Sequence, residues 1–272
     1  MSFERVAVTG GNDRIGEATL REFADHGYET VDLARGGRRE DVSGGGVMDR
    51  RLMPAALVYD PALVATTPPG VRAASAMNGF NKAVETLYSP GRTPVTDGTA
   101  VGALGLMQRG FGTLHKADPD PESLVDAVAG VVCAQYGVSR PDAVTLGVVH
   151  AFGHGLSGQG VHQGRGHAAV TPAVLRELFA QVDGRRRLLA EGLGVETEGR
   201  SDEAVADDVV AAVTGIRDAL DLPSRLRDLE GLDRADLPAV AETTAADSLM
   251  DATPDGFDLS VGDVERVLED AW

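Results

Sequence analysis

The chain has 272 residues, enough for two domains of ordinary size and a substantial buried core, which excludes a disordered tail and a disulfide-stapled mini-protein. Its 42 acidic residues outweigh 25 basic ones for a net charge of −17, and only Lys82 and Lys116 are lysines. That charge repels phosphates and anionic lipid, so nucleic-acid and membrane partners are excluded, and the short arginine cluster Arg185 to Arg187 does not reverse it.

Two explanations of the acidic, lysine-poor composition stand side by side. One is a surface adapted to concentrated salt, where screening removes self-repulsion; the other is the codon bias of a GC-rich genome. The single cysteine, Cys133, lies in the apolar run VDAVAGVVCAQYG and reads as a buried, inert thiol with no disulfide partner in the chain. No apolar run reaches the roughly 18 to 20 residues of a membrane helix, and the N-terminus lacks signal-peptide order. The sequence therefore predicts a cytoplasmic protein.

In chain order, RVAVTG at 5–10 predicts a strand, GNDRIGEATLREFADHGYE a helix stopped by Gly27, and Tyr28 to Ala34 a second strand. This is a β-α-β beginning. From Gly36 the periodicity collapses into GGRREDVSGGGVMDRR, the predicted boundary, and residues 71–272 carry one helical pattern after another. Ala73, Met77, Phe80, Val84 and Leu87 step by three and four, the spacing of one buried helix face. Ser123 to Tyr136 is apolar nearly all round and predicts a helix in the middle of a bundle. Val144 to His154 continues helically, and later helices are predicted over 172–192, 202–220, 235–250 and 260–271. Ser201 and Ser260 supply helix starts, the second with Asp263 in an approximate capping box, and Leu222-Pro223 ends the helix before it.

The turn Thr9-Gly10-Gly11-Asn12-Asp13-Arg14-Ile15-Gly16 lies between strand and helix, where a dinucleotide pyrophosphate rests on backbone N–H groups. It resembles the TGGxGxIG turn of the extended short-chain dehydrogenases, which implies cofactor contacts at Gly10, Gly11, Arg14, Ile15 and Gly16. Asp13 stands where that family has glycine. Arg35, after the second strand, suits the 2′-phosphate of NADP. The same turn also serves to pack a strand on a helix without ligand. Neither lysine has a tyrosine four residues earlier, so the resemblance covers only residues 4–42 and does not carry short-chain chemistry.

A second and longer resemblance rests on PAALVYDPALVATTPPGVRAASAMNGFNKAVETLYS at 54–89 and VHAFGHGLSGQGVHQGRGHAA at 149–169, together with Leu222-Pro223-x-x-Leu226. These segments resemble the iron-containing (group III) alcohol dehydrogenases from Pro54 to Trp272. The resemblance implies an all-helical domain holding a divalent metal and the substrate alcohol, beside an N-terminal cofactor domain with a GGGS-x-x-D loop. Gly44, Gly45, Gly46 and Asp49 look like a worn copy of that loop, and equally suit a flexible linker. The family's four metal ligands fall on Asn78, Lys82, His150 and Gln163, so only His150 keeps a ligating side chain and affinity for Fe or Zn should collapse. The Lys82 ammonium could then stand in the metal's place and polarise the substrate oxygen, or be an ordinary surface lysine. His154, one turn after His150, matches the family's extra histidine and is the expected proton relay, with two core histidines as the alternative. His162 and His167 are weaker candidates for a shifted metal site.

The sequence thus predicts an α/β Rossmann-like fragment (1–43), a glycine-rich linker or worn phosphate loop (44–53), and a helical dehydrogenase-like domain (54–272). The implied function is hydride transfer between NAD(P), with NADP preferred through Arg35, and a small alcohol or aldehyde. About 50 residues precede the helical part, against about 150 for an ordinary cofactor domain. Either a second copy of the chain completes the site, or the chain is a catalytically impaired or non-catalytic binding or assembly module from a fused or truncated dehydrogenase.

Overall fold

A computed structural model describes residues 59–140 and 143–272, and the backbone of residues 5–8 and 29–32. The chain divides into two units, Met1–Leu57 and Val58–Trp272. In the first, strands β1 (Arg5–Val8) and β2 (Glu29–Asp32) pair in parallel with Arg5 opposite Glu29. Two paired strands do not by themselves establish a Rossmann-like fragment. The expected cofactor contacts Gly10, Gly11, Arg14, Ile15, Gly16, Arg35, Gly44, Gly45, Gly46 and Asp49 all lie outside the described residues.

The second unit is helical. A short α1 (Pro61–Ala65) leads into α2 (Pro69–Tyr88), α3 (Pro94–Gly110) and α4 (Pro121–Val138). Each of these four begins with proline, whose missing N–H costs nothing in a first turn. Then come α5 (Val148–Ser157), α6 (Gln163–Gln181), α7 (Arg186–Gly192), α8 (Asp202–Ala219), α9 (Leu237–Ala245) and α10 (Val261–Ala271). Ser201 caps α8 by accepting from the Ala204 N–H, and Ser260 forms the expected capping box with Asp263 at α10.

The central helix is α2, packed against α3, α4, α5 and α6, with Met77, Phe80, Val84 and Leu87 fully buried on its predicted face. The expectation for 123–136 needs correcting. Helix α4 lies at the rim: Leu124, Ala127 and Ala134 are buried, while Val125 and Tyr136 are more than half exposed. Its apolar surround is too rich in small side chains to signal burial on every side; small residues let it lie close on α3 instead. The helix expected over 172–192 also differs. Helix α6 begins nine residues earlier and runs through Pro172, and the chain breaks at Gly184 and Arg185, both with positive φ, before α7. An interior proline forfeits the bond its own N–H would make to the carbonyl four residues back, and burial of α6 on α2 and α5 outweighs that loss. Residues 143–147 are not helical, and 3-10 turns flank α9 where one helix over 235–250 was expected.

The arginine cluster is structural. Arg185 pairs with Asp97 at 2.7 Å, Arg187 pairs with Asp202 at 2.8 Å, and Arg186 is buried against the carbonyls of Phe179 and Val182. Cys133 is half-buried against the core. Among the described residues no helix is long and apolar enough to cross a membrane.

Candidate active site

The site is built where α2, α5 and α6 meet. Two glycines make the approach close enough: a Cβ on Gly164 would overlap the Ala74 carbonyl oxygen, and one on Gly153 would overlap Nε2 of His167. The first contact sets α6 on α2 one turn before Asn78, and the second seats the His167 ring on α5.

All four positions that the resemblance assigns to metal ligands are placed by specific bonds. Asn78 Nδ2 donates to Gln163 Oε1 at 3.1 Å, so these two side chains, 85 residues apart, close on each other. Lys82, one turn further along α2, donates from Nζ to Gln135 Oε1 on α4 at 2.7 Å; burial lowers its ammonium from the ordinary lysine range. His150 is 3 % exposed and takes its partner from α2, where Nδ1 meets Glu85 Oε2.

Glu85 went unremarked in the sequence, and it organises the site. It is fully buried, and its Oε1 accepts the N–H groups of Val149 at 2.6 Å and His150 at 3.2 Å. These are first-turn donors of α5, whose own N-cap is Gly147 with no side-chain bond. Glu85 therefore caps α5 from another helix while its second oxygen holds the imidazole. Tyr88 O–H adds a donor at 3.4 Å; burial first, then the Glu85 charge, push the Tyr88 phenol well above its usual range and keep it protonated. In the neutral imidazole, a carboxylate on Nδ1 favours the tautomer with the proton there and the lone pair on Nε2. That Nε2 is buried without a partner, as are both ring nitrogens of His167, whose ring meets His150 edge-on at 4.6 Å between centroids, and Nδ2 of Asn81.

His154 lies one turn beyond His150 and is at the surface, its side chain 48 % exposed and its Nδ1 2.8 Å from Asp247 Oδ2. The i, i+4 pair thus divides into one buried and one solvent-facing imidazole, each oriented by a carboxylate from a distant segment. His162 is exposed and caps α6 by accepting from the Gly164 N–H at 3.2 Å.

These residues do not fit a divalent metal. Among the described residues no three His, Cys, Asp or Glu side chains come together as a metal group. The Gln163 amide oxygen is engaged by Asn78, and the Lys82 ammonium has no lone pair to offer.

The packing gives His167 a measurable consequence. Burial first, then the positive charge available to His150, His154, Lys82 and His162, hold the His167 imidazole well below its ordinary range. Its folded pKa is depressed, so the stability it contributes is complete above the unfolded value and is lost as pH falls, because only the unfolded chain takes the proton. The unfolding free energy should therefore fall below about pH 6.5 with an added slope of about 1.4 kcal/mol per pH unit. His167→Gln should remove that increment in denaturant titrations at pH 7.5 and 5.5; an unchanged slope would mean His167 is accessible to protons in the folded state.

Comparison with known proteins places the architecture. Residues 72–272 match the model for the Fe-containing alcohol dehydrogenase family, C-terminal, and the chain belongs to that family. It is 28% identical over 202 residues to a 1,3-propanediol dehydrogenase of Klebsiella pneumoniae, covering 74% of this chain and 51% of that protein. It is 25% identical over 226 residues to the lactaldehyde reductase of Escherichia coli K12, covering 83% and 57%. A crystal structure of 1,3-propanediol oxidoreductase superposes with TM-score 0.71 at 26% identity over 78% of this chain and 55% of that one. An alcohol dehydrogenase from Oenococcus oeni gives 0.70 at 24% identity over 78% and 54%. The chain spans about half the length of the curated relatives it matches.

Proposed function

We propose that the chain is the substrate-side part of an NAD(P)-dependent oxidoreductase acting on a small alcohol or aldehyde, with a metal site that has degenerated. The observation that carries this reading is the pair of carboxylate-oriented imidazoles on α5, Glu85 with His150 and Asp247 with His154. They keep one aligned ligand position, His150, and the expected proton relay, His154, while the other ligand positions have changed. The names of the relatives, 1,3-propanediol dehydrogenase, methanol dehydrogenase and lactaldehyde reductase, support a small alcohol or aldehyde as the substrate class. The cofactor, when bound, supplies or takes the hydride. His154 would move the proton: with Nδ1 donating to Asp247, its exposed Nε2 is free to take the hydroxyl proton as an alcohol is oxidised and to return it on reduction. Lys82 is a cation beside the site, and its bond to Gln135 sets where that charge acts. The preference for NADP rests on Arg35, and completion of the cofactor domain on a second subunit or further chain.

One observation favours a second reading, a non-catalytic helical module: the Asn78 and Gln163 amides satisfy each other, as side chains do when no ligand is to be held. Fluorescence titration with NADPH and NADH, in low salt and in molar salt where 17 net negative charges are screened, separates the two. The enzyme reading expects saturable quenching, with metal by mass spectrometry far below one Fe or Zn per chain. Absence of cofactor binding at millimolar concentration in both salts would leave the module, and stoichiometric metal would contradict a degenerate site.

A further inference from the structure

Away from the histidines, the described part of the molecule holds a mainly apolar cavity. It has a volume of about 190 Å³ and lies beneath α1, between the first turns of α2 and the middle of α4. Val64 of α1, Ala76 of α2, Leu114, and Leu124, Val128 and Val131 contribute the apolar wall.

The charged group in that wall is Arg72, 4 % exposed. Its guanidinium donates to four backbone carbonyls: Leu114 at 3.0 Å, Ala65 at 2.8 Å, Thr67 at 2.7 Å and Lys116 at 2.5 Å. This clamps the α1–α2 connection to the turn after α3 and uses four of the five N–H donors. Neutral carbonyls solvate a buried cation without cancelling it, and no carboxylate among the described residues pairs with Arg72. The chain otherwise carries a large negative charge, so a buried cation held by neutral carbonyls beside an apolar hole is an exception, and an anionic ligand would complement it. The hydroxyl-bearing residues Tyr59, Thr67 and Ser75 also line the space.

We propose that this cavity binds a monocarboxylate with an unbranched apolar body of about six to eight carbons, the carboxylate meeting Arg72 and the body lying along α4; the length follows because a cavity of about 150 Å³ accommodates benzene. The ligand supplies the charge that the protein omits, and the aliphatic wall supplies the burial. The site is independent of the reading given to His150 and His154.

The test is calorimetric titration of the full chain with octanoate, octan-1-ol and methyl octanoate at one moderate salt concentration. Octanoate should bind about tenfold or more tightly than either neutral analogue. Ser75 is exposed on α2 yet lines the space, so Ser75→Phe fills it without disturbing the core, and should reduce octanoate affinity by about tenfold or more. Val128→Trp fills it from α4 and should do the same if Ser75→Phe lowers helicity. Equal affinity for the alcohol and the carboxylate would leave only an apolar hole. Binding unchanged in both filled variants would put the ligand elsewhere, and no octanoate heat at about 10 mM would overturn the proposal outright.

Discussion

Glu85→Ala is expected to cost about 3–5 kcal/mol of folding stability, because several buried donors, each costing about 1–3 kcal/mol when left unsatisfied, share this one acceptor. Four donors lose their acceptor at once: the His150 ring, the backbone N–H groups of Val149 and His150, and the Tyr88 hydroxyl. All belong to residues at most 3 % exposed, so water cannot replace the carboxylate without opening the contact of α2 with α5. Glu85→Gln keeps one acceptor oxygen and the volume, and should cost about 1–3 kcal/mol, the penalty of a mismatched buried group. Chemical denaturation at fixed salt measures both. A second reading distinguishes orientation from mere packing: nitrogen NMR of the parent should show His150 protonated at Nδ1, and Glu85→Gln should shift that tautomer balance. A loss below about 1 kcal/mol for Glu85→Ala, with the tautomer unchanged, would remove Glu85 from its central role.

That residue also marks the limit of what the sequence discloses. The α2 stripe of Met77, Phe80, Val84 and Leu87 is legible because every third or fourth side chain is apolar, and all four are fully buried. The caps at Ser201 and Ser260 are legible because their partners lie three residues away. Glu85 meets His150 across 65 residues, and nothing local shows that a lone carboxylate between Val84 and Thr86 turns inward. A signal existed: a carboxylate next to an otherwise apolar helix face needs a donor, and α5 begins with Gly147, leaving its first N–H groups uncapped. Asp247 as the partner of His154 was hidden for the same reason, since 93 residues separate them. Resemblance located Asn78, Lys82, His150 and Gln163, but it could not say that Asn78 and Gln163 bond each other or that Lys82 leans to Gln135. Pro172 misled because proline at a helix start is the common case; the small residues Gly164 and Gly166 upstream, which read as loop, are what let α6 start early against α2 and α5.

Asn78→Asp, Lys82→His and Gln163→His, made together, are expected to give this chain a divalent metal site. The backbone positions are already gathered: residues 78 and 163 touch through their side chains, residue 82 follows one turn along α2, and His150 is held through Nδ1 with Nε2 unpartnered. By the resemblance, what is missing is chemistry, since two neutral amides and an ammonium stand where it implies a carboxylate and two imidazoles. The triple variant should bind Co(II) with visible absorption bands and one-to-one stoichiometry, and the parent should show neither. Its unfolding free energy should rise with metal by about 2.7 kcal/mol at a hundred times the dissociation constant, because the metal binds only the folded chain. Without metal the variant should be less stable than the parent, having lost the amide pair and the Lys82 bond to Gln135. Adding His150→Ala to the triple variant should abolish the absorption while leaving the helices folded. If the triple variant takes up Co(II) no better than the parent, the three positions do not converge on His150, and the alignment of Gln163 with the family's last ligand is displaced, with His162 the next position to substitute into the ligand set.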